Sequence, residues 1–125
     1  MPIEKIAVLE DEKPMRRYLE DALRGQRYNV SSASTLAEAR TLLAKDSFDL
    51  LLSDMRLPDG QAVELLKELQ QRPQKPLIVV MTGYASVESA VECMRAGAFD
   101  YLIKPFSLDQ LEIVLKKAEE FTQLL

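Results

Sequence analysis

Short apolar runs alternate along this chain with longer stretches in which apolar residues recur every three or four positions. The short runs are typical of buried strands, and the longer pattern is typical of helices that turn one face towards a core. Five such pairs follow one another, and their strands are predicted at 5–9, 28–33, 49–53, 77–81 and 101–103. This alternation predicts a parallel sheet with helices on both faces.

Polar residues mark the starts of the predicted helices. Pro14 suits the first turn of the first helix. Thr35 before Glu38, and Ser107 before Gln110, have the spacing of a capping box, in which two side chains satisfy the first amide groups of a helix. The second and last helices are therefore predicted to begin beside these pairs.

The fourth and last helices carry apolar stripes of helical spacing. In the fourth helix, Val87, Ala90, Val91 and Met94 mark a stripe of helical spacing, and Met94 is expected to fill the core. Gly97 can close that helix in a left-handed conformation. The stripe of the last helix runs on to Leu125, so this helix is expected to continue into a longer protein or to serve in dimerisation.

Polar residues with useful chemistry follow four of the predicted strands, at the point where each strand ends. In chain order they are Glu10 with Asp11, Asp54, Thr82 and Lys104. Parallel strands bring their carboxyl ends to one edge of a sheet, where such folds build their sites. Because clustered carboxylates repel one another, a cation has to join them. The pattern predicts a divalent cation beside a carboxylate that accepts a phosphoryl group.

Composition and charge narrow the function further. At 125 residues and 47% hydrophobic content, the chain is predicted to be one domain spanning 1–125. Its formal charge of −4 argues against binding of nucleic acid. Arg16 and Arg17 are expected to form a solvated face, with docking of a partner as the less favoured alternative. No run approaches the ~20 apolar residues of a membrane span, and the single cysteine, Cys93, excludes an internal disulfide. A cytoplasmic location is expected.

The chain contains no histidine, which removes imidazole as general base, zinc ligand and phosphate carrier. Any bound metal therefore takes oxygen ligands, which favours Mg²⁺, with Mn²⁺ or Ca²⁺ as alternatives. We expect Asp11 and Asp54 to be direct ligands. Glu10 is expected to act through a water molecule, and a backbone carbonyl near Arg56 to complete the shell.

The expected reaction is attack by an Asp54 oxygen on the phosphorus of a donor, which gives an acyl phosphate. Lys104 would pair with the transferred group as a point charge, and the Thr82 hydroxyl would donate a hydrogen bond to it. Without a histidine of its own, the chain must receive the phosphoryl group from another protein's phosphohistidine or from a small phosphorylated molecule.

Four motifs together make the chain resemble a receiver domain of two-component response regulators, over nearly all of its length. They are Val8–Glu12, Asp54–Gly60, Thr82-Gly83 and Lys104–Phe106. The resemblance implies a flavodoxin-like (βα)5 fold with sheet order 2-1-3-4-5. It also implies Mg²⁺ as cofactor, a sensor histidine kinase as partner, and no enzymatic activity beyond accepting and losing the phosphoryl group.

The resemblance assigns roles to single residues. It implies phosphorylation of Asp54, metal binding by Asp11 and Glu10, phosphate sensing by Thr82 and Lys104, a rotamer switch at Tyr101, and a cis peptide between Lys104 and Pro105. Arg56 and Tyr84 would flank the phosphoryl group and slow its hydrolysis. The family more often has aspartate at the position of Glu10, whose longer arm would bind the ion more weakly or shift a water molecule.

Two stretches, 81–91 and 97–102, are similar to receivers of the NtrC-like group, which regulate AAA+ activators of sigma-54 transcription. This similarity implies an output domain in the same parent chain, formed by an AAA+ unit and a DNA-binding unit. It also implies a homodimer formed through the fourth helix, the fifth strand and the fifth helix.

Two other functions remain open. Asp54 could be the transient nucleophile of a hydrolase, as in haloacid-dehalogenase-like phosphatases, although those enzymes carry a second acid two residues on, where this chain has Arg56. The domain could also be an interaction module that is never phosphorylated. Exposure to acetyl phosphate separates the three cases, because a receiver keeps the label, a phosphatase turns it over and a module takes none.

Overall fold

A five-stranded parallel sheet lies at the centre of the computed structural model, which describes residues 2–83 and 86–124. The strands along the chain are β1 (Lys5–Leu9), β2 (Asn29–Ala33), β3 (Leu50–Asp54), β4 (Arg56–Leu57), β5 (Gly60–Gln61), β6 (Leu77–Thr82) and β7 (Asp100–Ile103). β4 and β5 form a separate hairpin, and the sheet order is β2-β1-β3-β6-β7. This confirms the predicted flavodoxin-like order, with β6 and β7 as the fourth and fifth strands of the sheet.

Helices cover both faces of this sheet. They are α1 (Lys13–Gly25), α2 (Leu36–Lys45), α3 (Ala62–Gln70), α4 (Val87–Arg95) and α5 (Leu108–Gln123). Leu19 and Leu111 place α1 and α5 on one face, whereas Leu36, Leu66 and Cys93 place α2, α3 and α4 on the other. Within the described ranges, no helix combines the length and the apolar character that crossing a bilayer requires.

β3 is the middle strand, as predicted, and its side chains alternate between the two faces. Leu50 and Leu52 belong to the cluster under α1 and α5, and Leu51 belongs to the opposite cluster. Each of these leucines is at most 1% exposed. Burial of each contributes about 1.5–3 kcal/mol, so the strand that carries Asp54 is firmly held.

The register of the strands brings polar residues to one edge of the sheet. Glu10 and Asp54 each come one residue after the last pair between β1 and β3, which joins Leu9 to Ser53. Thr82 ends β6 and is paired with the last residue of β7, after which Lys104 follows. Four separate strands therefore deliver the residues of the predicted site to the same place.

The helix starts agree with the sequence, with one difference. Ser107 and Gln110 form the predicted capping box of α5. Thr35 caps α2 by accepting a hydrogen bond from the Glu38 amide at 3.1 Å. The Glu38 carboxylate does not complete a box with Thr35, because it accepts hydrogen bonds from both the amide and the hydroxyl of Ser34. Ser34 offers the Glu38 carboxylate two hydrogen-bond donors, whereas a capping box would offer it only the amide of Thr35.

The turn at 58–60 joins β4 to β5, and its aspartate gives α2 a second cap. Asp59 Oδ1 accepts from the Leu36 amide at 2.8 Å, and Oδ2 accepts from the Ala37 amide at 3.0 Å. These hydrogen bonds hold the pKa of Asp59 below its ordinary value. The hairpin that follows the end of β3 is thus tied to the start of α2.

The expectation that Met94 of α4 fills the core is wrong, and Val87 and Val91 are exposed with it. Val87 is 81% exposed, Val91 41% and Met94 45%. The buried residue of α4 is Cys93, whose small side chain allows the helix to approach the sheet. The periodicity correctly identifies an apolar stripe, but this stripe lies in solvent, because a sequence pattern does not show which neighbour covers it. The expected end of the α5 stripe, Leu125, lies outside the described residues.

Candidate functional site

Three carboxylates converge at the carboxyl edge of the sheet. Glu10 and Asp11 follow β1, and Asp54 ends β3; each offers an oxygen atom, and these oxygens all lie within 4.8 Å of one another. Glu10 is fully buried, Asp54 is partly buried and Asp11 is exposed. The structure therefore brings the three predicted carboxylates together, with a gradient of burial from the protein interior to the surface.

Lys104 supplies the positive charge of the cluster. Its Nζ lies 2.5 Å from Glu10 Oε1 and 3.4 Å from Asp54 Oδ1. Its backbone amide donates to the Thr82 carbonyl at 2.7 Å, and the peptide bond to Pro105 is cis. Three carboxylates and one ammonium carry a formal charge of −2 when all are ionised.

This excess of negative charge affects Asp54 most. Burial and the charge of Glu10 raise the pKa of Asp54 to about 6, although the Lys104 ammonium and a hydrogen bond from the Met55 amide act in the opposite direction. The side chain is 16% exposed, so solvent screens these effects only in part. An ionised Asp54 is therefore held at a cost in free energy until further positive charge arrives.

The ammonium of Lys104 is held in its charged form. Burial on its own lowers the pKa of Lys104, but the hydrogen bond to Glu10 and the charges of Asp54 and Glu10 outweigh that effect, and the pKa is raised. Lys104 therefore stays positive throughout the physiological pH range. A point charge beside Asp54 suits the binding of an anionic group.

The carboxylate of Glu10 already has two donors. Besides the ammonium of Lys104 on Oε1, the Glu12 amide donates to Oε2 at 3.0 Å. Asp11 and Asp54 lie nearer to solvent and present the more accessible oxygens. An all-oxygen donor set with unbalanced negative charge fits a hard divalent cation such as Mg²⁺.

Thr82 and Tyr101 lie on the side of the cluster that faces α4. Thr82 is 5% exposed at the end of β6, and Tyr101 on β7 is 37% exposed. A cavity of about 10 Å³ lies between them, lined also by Ser86, Ala90 and Cys93. This volume suits one water molecule and not an aromatic ring, so the Tyr101 ring stays outside unless α4 moves.

The two residues expected to tune hydrolysis differ in what can be said of them. Arg56 lies on β4, two residues after Asp54, and its side chain is exposed. Its backbone is paired with Gln61 in the hairpin. Tyr84 lies outside the described residues.

One residue of the site was missed by the sequence analysis. Arg16, expected on a solvated face, is half-buried, and its Nη1 donates to the backbone carbonyls of Glu10 at 2.9 Å and Asp11 at 3.3 Å. The helical pattern places position 16 away from the core, and a long side chain can fold back onto a preceding turn without leaving a signal in that pattern.

The chain is similar in sequence to known proteins. The response regulator receiver domain family matches residues 6–116. The response regulator protein PilR of Pseudomonas aeruginosa is 41% identical over 119 residues, which cover 94% of this chain and 26% of PilR. The regulatory protein AtoC of Escherichia coli is 38% identical over 116 residues, which cover 93% of this chain and 25% of AtoC. The chain thus spans about a quarter of the length of these curated relatives.

Solved structures agree in fold. The solution structure of a beryllofluoride-activated NtrC4 receiver domain dimer has a TM-score of 0.86 at 29% identity, covering 93% of this chain and 96% of that one. A CheY-like receiver from Methanospirillum hungatei has a TM-score of 0.88 at 30% identity, covering 98% and 99%. These matches confirm the predicted resemblance to receivers of the NtrC-like group. On its strand order, its carboxylate cluster and these similarities, the chain belongs to the response regulator receiver domain family.

Proposed function

We propose that this chain is a phosphorylation-dependent switch in which Asp54 receives a phosphoryl group from a sensor histidine kinase in the presence of Mg²⁺. The observation that carries the proposal is the position of Asp54. Its carboxylate is partly buried, shares a 4.8 Å cluster with oxygens of Glu10 and Asp11, and lies 3.4 Å from Lys104 Nζ. A carboxylate nucleophile between a cation site and an ammonium suits transfer of an anionic group.

The divalent cation, when bound, supplies positive charge beside the equatorial oxygens of the transferred group. We assign Asp11 and Asp54 as its direct ligands, because their oxygens are the more accessible ones. Glu10, which already accepts from Lys104 and from the Glu12 amide, acts behind them through a water molecule. The backbone carbonyl of Arg56 is the proposed further ligand.

An Asp54 carboxylate oxygen attacks the phosphorus of the donor. The new O–P bond forms as the P–N bond of the phosphohistidine breaks, and the imidazole of the donor retains that electron pair and takes up a proton from solvent. Asp54 has to be ionised for this step. With a pKa near 6, most of the Asp54 carboxyl is ionised at neutral pH, and a nearby cation increases that fraction.

Lys104 and Thr82 then hold the product. The phosphoryl group adds about −1.5 to −2 charges and three acceptor oxygens at Asp54. Lys104 shifts from Glu10 towards these oxygens, and the Thr82 hydroxyl donates to one of them. A change from 1% to 99% of the active form requires these contacts to favour it by about 5.5 kcal/mol, which a few charge-assisted hydrogen bonds can provide.

The signal leaves through the surface of α4, β7 and α5. Movement of Thr82 towards the phosphoryl group frees space next to a cavity that is too small for a ring, and displacement of α4 admits Tyr101. Weak anchoring makes α4 suitable for this movement, because Cys93 is its buried residue. The exposed apolar side chains on this surface include Met94 and Ile103, 45% and 50% exposed, and suit a homodimer.

The relatives indicate what the switch controls. ZraR and AlgB carry the names of transcriptional regulatory proteins, and this chain covers 26–27% of their length. We propose that the parent chain continues into an AAA+ unit and a DNA-binding unit that regulate transcription from sigma-54 promoters. The receiver itself, with its formal charge of −4, makes no contact with DNA.

Radioactive acetyl phosphate tests this function. Incubation with Mg²⁺ is expected to label the protein, and EDTA or the substitution Asp54→Asn is expected to abolish the label. Asp21→Asn, a change at an exposed carboxylate of α1, serves as the control and should leave labelling intact. Unchanged labelling of Asp54→Asn refutes the assignment of the acceptor.

The remaining outcomes identify the alternatives. Continuous release of inorganic phosphate without accumulation of label indicates an aspartate-nucleophile phosphatase. Complete absence of labelling in a folded protein with Mg²⁺ indicates an interaction module. Either result refutes the proposed switch.

A further inference from the structure

A side chain from the first turn of α1 holds the segment that carries two of the carboxylates. Arg16 Nη1 donates to the Glu10 carbonyl at 2.9 Å and to the Asp11 carbonyl at 3.3 Å. We propose that Arg16 is a positioning residue of the phosphorylation site, which fixes the turn between β1 and α1 so that both carboxylates face Asp54. This inference rests on the proposed function and goes beyond it, because it adds a residue that does not touch the reacting atoms.

The turn links β1 to α1, and its backbone carbonyls need partners outside the hydrogen bonds of these two elements. On one side, the Glu10 amide donates to the Ala33 carbonyl at 3.0 Å, which continues the sheet. On the other side, α1 begins with the hydrogen bond from the Arg16 amide to the Glu12 carbonyl at 2.9 Å. The carbonyls of Glu10 and Asp11 lie between these anchors. Backbone carbonyls outside regular structure require other donors.

A guanidinium is a suitable donor at this place. Its hydrogen bonds to carbonyl oxygens are charge-assisted and stronger than neutral ones. One nitrogen that reaches two successive carbonyls fixes two peptide planes, and these planes set the directions of the Cα–Cβ bonds of Glu10 and Asp11. The oxygens of these residues must meet Asp54 within the 4.8 Å of the cluster. A turn that rotates freely would hold this arrangement for only part of the time.

Because Arg16 is positively charged, the direction in which its replacement changes the Mg²⁺ affinity tests the inference. Removal of a positive charge beside an anionic site strengthens the attraction for Mg²⁺. Removal of the two hydrogen bonds disorders the turn and weakens binding. A loss of Mg²⁺ affinity therefore cannot come from the charge alone. Arg17 is the matched control, because it is the next residue, carries the same charge and is exposed.

The test compares Arg16→Met, Arg16→Lys and Arg17→Met by isothermal titration of Mg²⁺ into the metal-free protein. Loss of an outer partner of a metal ligand typically weakens affinity by about 10- to 100-fold, and Arg16→Met is expected at about tenfold. Arg16→Lys should also weaken binding, because a strongly hydrated ammonium on a flexible stem holds the two carbonyls less firmly than the planar guanidinium does. Arg17→Met should leave the affinity unchanged or slightly increase it.

A second measurement separates positioning from a contribution to folding. Amide hydrogen exchange of residues 10–13 in the metal-free protein should be faster in Arg16→Met than in wild type, while exchange in β3 stays the same. If Arg16 only stabilised the fold, thermal unfolding would shift and the Mg²⁺ dissociation constant at 25 °C would not. Should Arg16→Met fail to fold, Arg16→Lys carries both measurements.

Two results overturn the inference. The first is an Arg16→Met protein that binds Mg²⁺ as tightly as wild type or more tightly. The second is unchanged hydrogen exchange of the turn in both Arg16 variants. These outcomes are distinct from failure of the proposed function, because absence of labelling by acetyl phosphate in the wild type refutes the switch, while the Mg²⁺ titrations still test the role of Arg16.

Discussion

Replacing Asp54 by asparagine is expected to stabilise the metal-free protein. The rise of the Asp54 pKa from 3.8 to about 6 corresponds to about 3 kcal/mol by which the folded state disfavours the ionised carboxylate. Asparagine is similar in shape, carries no charge and retains an oxygen that can accept from the Met55 amide. In EDTA at pH 7, the free energy of unfolding should therefore rise by up to about 3 kcal/mol in Asp54→Asn.

The sign of the pH dependence follows from the direction of the shift. Between about pH 4 and pH 6 the folded state binds a proton at Asp54 that the unfolded state has released. The contribution of Asp54 to wild-type stability is therefore intact below pH 4 and is lost as pH rises through 6. The advantage of Asp54→Asn should be largest above pH 6 and should disappear near pH 4.

Urea unfolding followed by circular dichroism, at several pH values in EDTA, measures this difference. Carboxylates with lowered pKa, such as Asp46 and Asp59, are present in both proteins, so their contributions cancel in the difference. Asp21→Asn, at an exposed position, controls for loss of one negative charge. An Asp54→Asn protein that is no more stable than wild type at pH 7, or a gain that does not vary with pH, would refute the electrostatic reasoning.

Addition of Mg²⁺ should cancel most of this advantage of Asp54→Asn. A ligand at 100 times its dissociation constant stabilises the protein that binds it by about 2.7 kcal/mol. Wild type gains this stabilisation, whereas Asp54→Asn lacks one proposed ligand and gains less. A functional site that is unstable when empty and stable when filled is common where like charges are held together.

Three further predictions concern the cation pair, the metal and a glycine. Lys104→Met leaves the buried Glu10 carboxylate without its cation and should lower the free energy of unfolding of the metal-free protein by about 3–5 kcal/mol. Lys117→Met, at an exposed ion pair, should lower it by less than about 1 kcal/mol. Equal losses in thermal unfolding of the two variants would contradict the stabilising role of the Lys104–Glu10 pair. The apparent Mg²⁺ affinity should fall about tenfold from pH 7 to pH 5 in calorimetric titrations, because protonation of Asp54, with its pKa of about 6, competes with binding of the cation. An affinity that does not change with pH would refute this. Gly97→Ala should destabilise the protein by about 1–3 kcal/mol, because Gly97 has a φ of +111° and an added Cβ would overlap the side-chain amide of Gln70. Gly25→Ala is the control, since a Cβ at position 25 meets nothing within 4 Å, and it should be neutral or stabilising in thermal unfolding.

The sheet and the meeting of the carboxylates could be predicted from local pattern alone. Apolar runs at the spacing of βα units leave few alternatives to a parallel sheet, and parallel strands necessarily bring their carboxyl ends to one edge. The convergence of Asp11 and Asp54 follows from this geometry without knowledge of any contact. The order of the strands came from the resemblance, because periodicity does not specify which strands are neighbours.

The remaining features depend on side-chain choices that a one-dimensional pattern does not contain. Arg16 folds back onto the carbonyls of residues six and five positions before it, and the Glu38 carboxylate selects Ser34 over Thr35 because Ser34 offers two donors. The exposed stripe of α4 has the same periodicity as a buried one. Val87 shows that an apolar residue at helical spacing can be left uncovered by its own chain.

The most direct test of the central claim is to locate the phosphoryl group on the chain. The protein is treated with acetyl phosphate and Mg²⁺, reduced with borohydride, which converts an aspartyl phosphate to homoserine, and digested for mass spectrometry. We predict homoserine at position 54, in samples that contained Mg²⁺ and not in those with EDTA. Homoserine at another aspartate, or an unmodified position 54 in a folded, Mg²⁺-bound protein, would contradict the account.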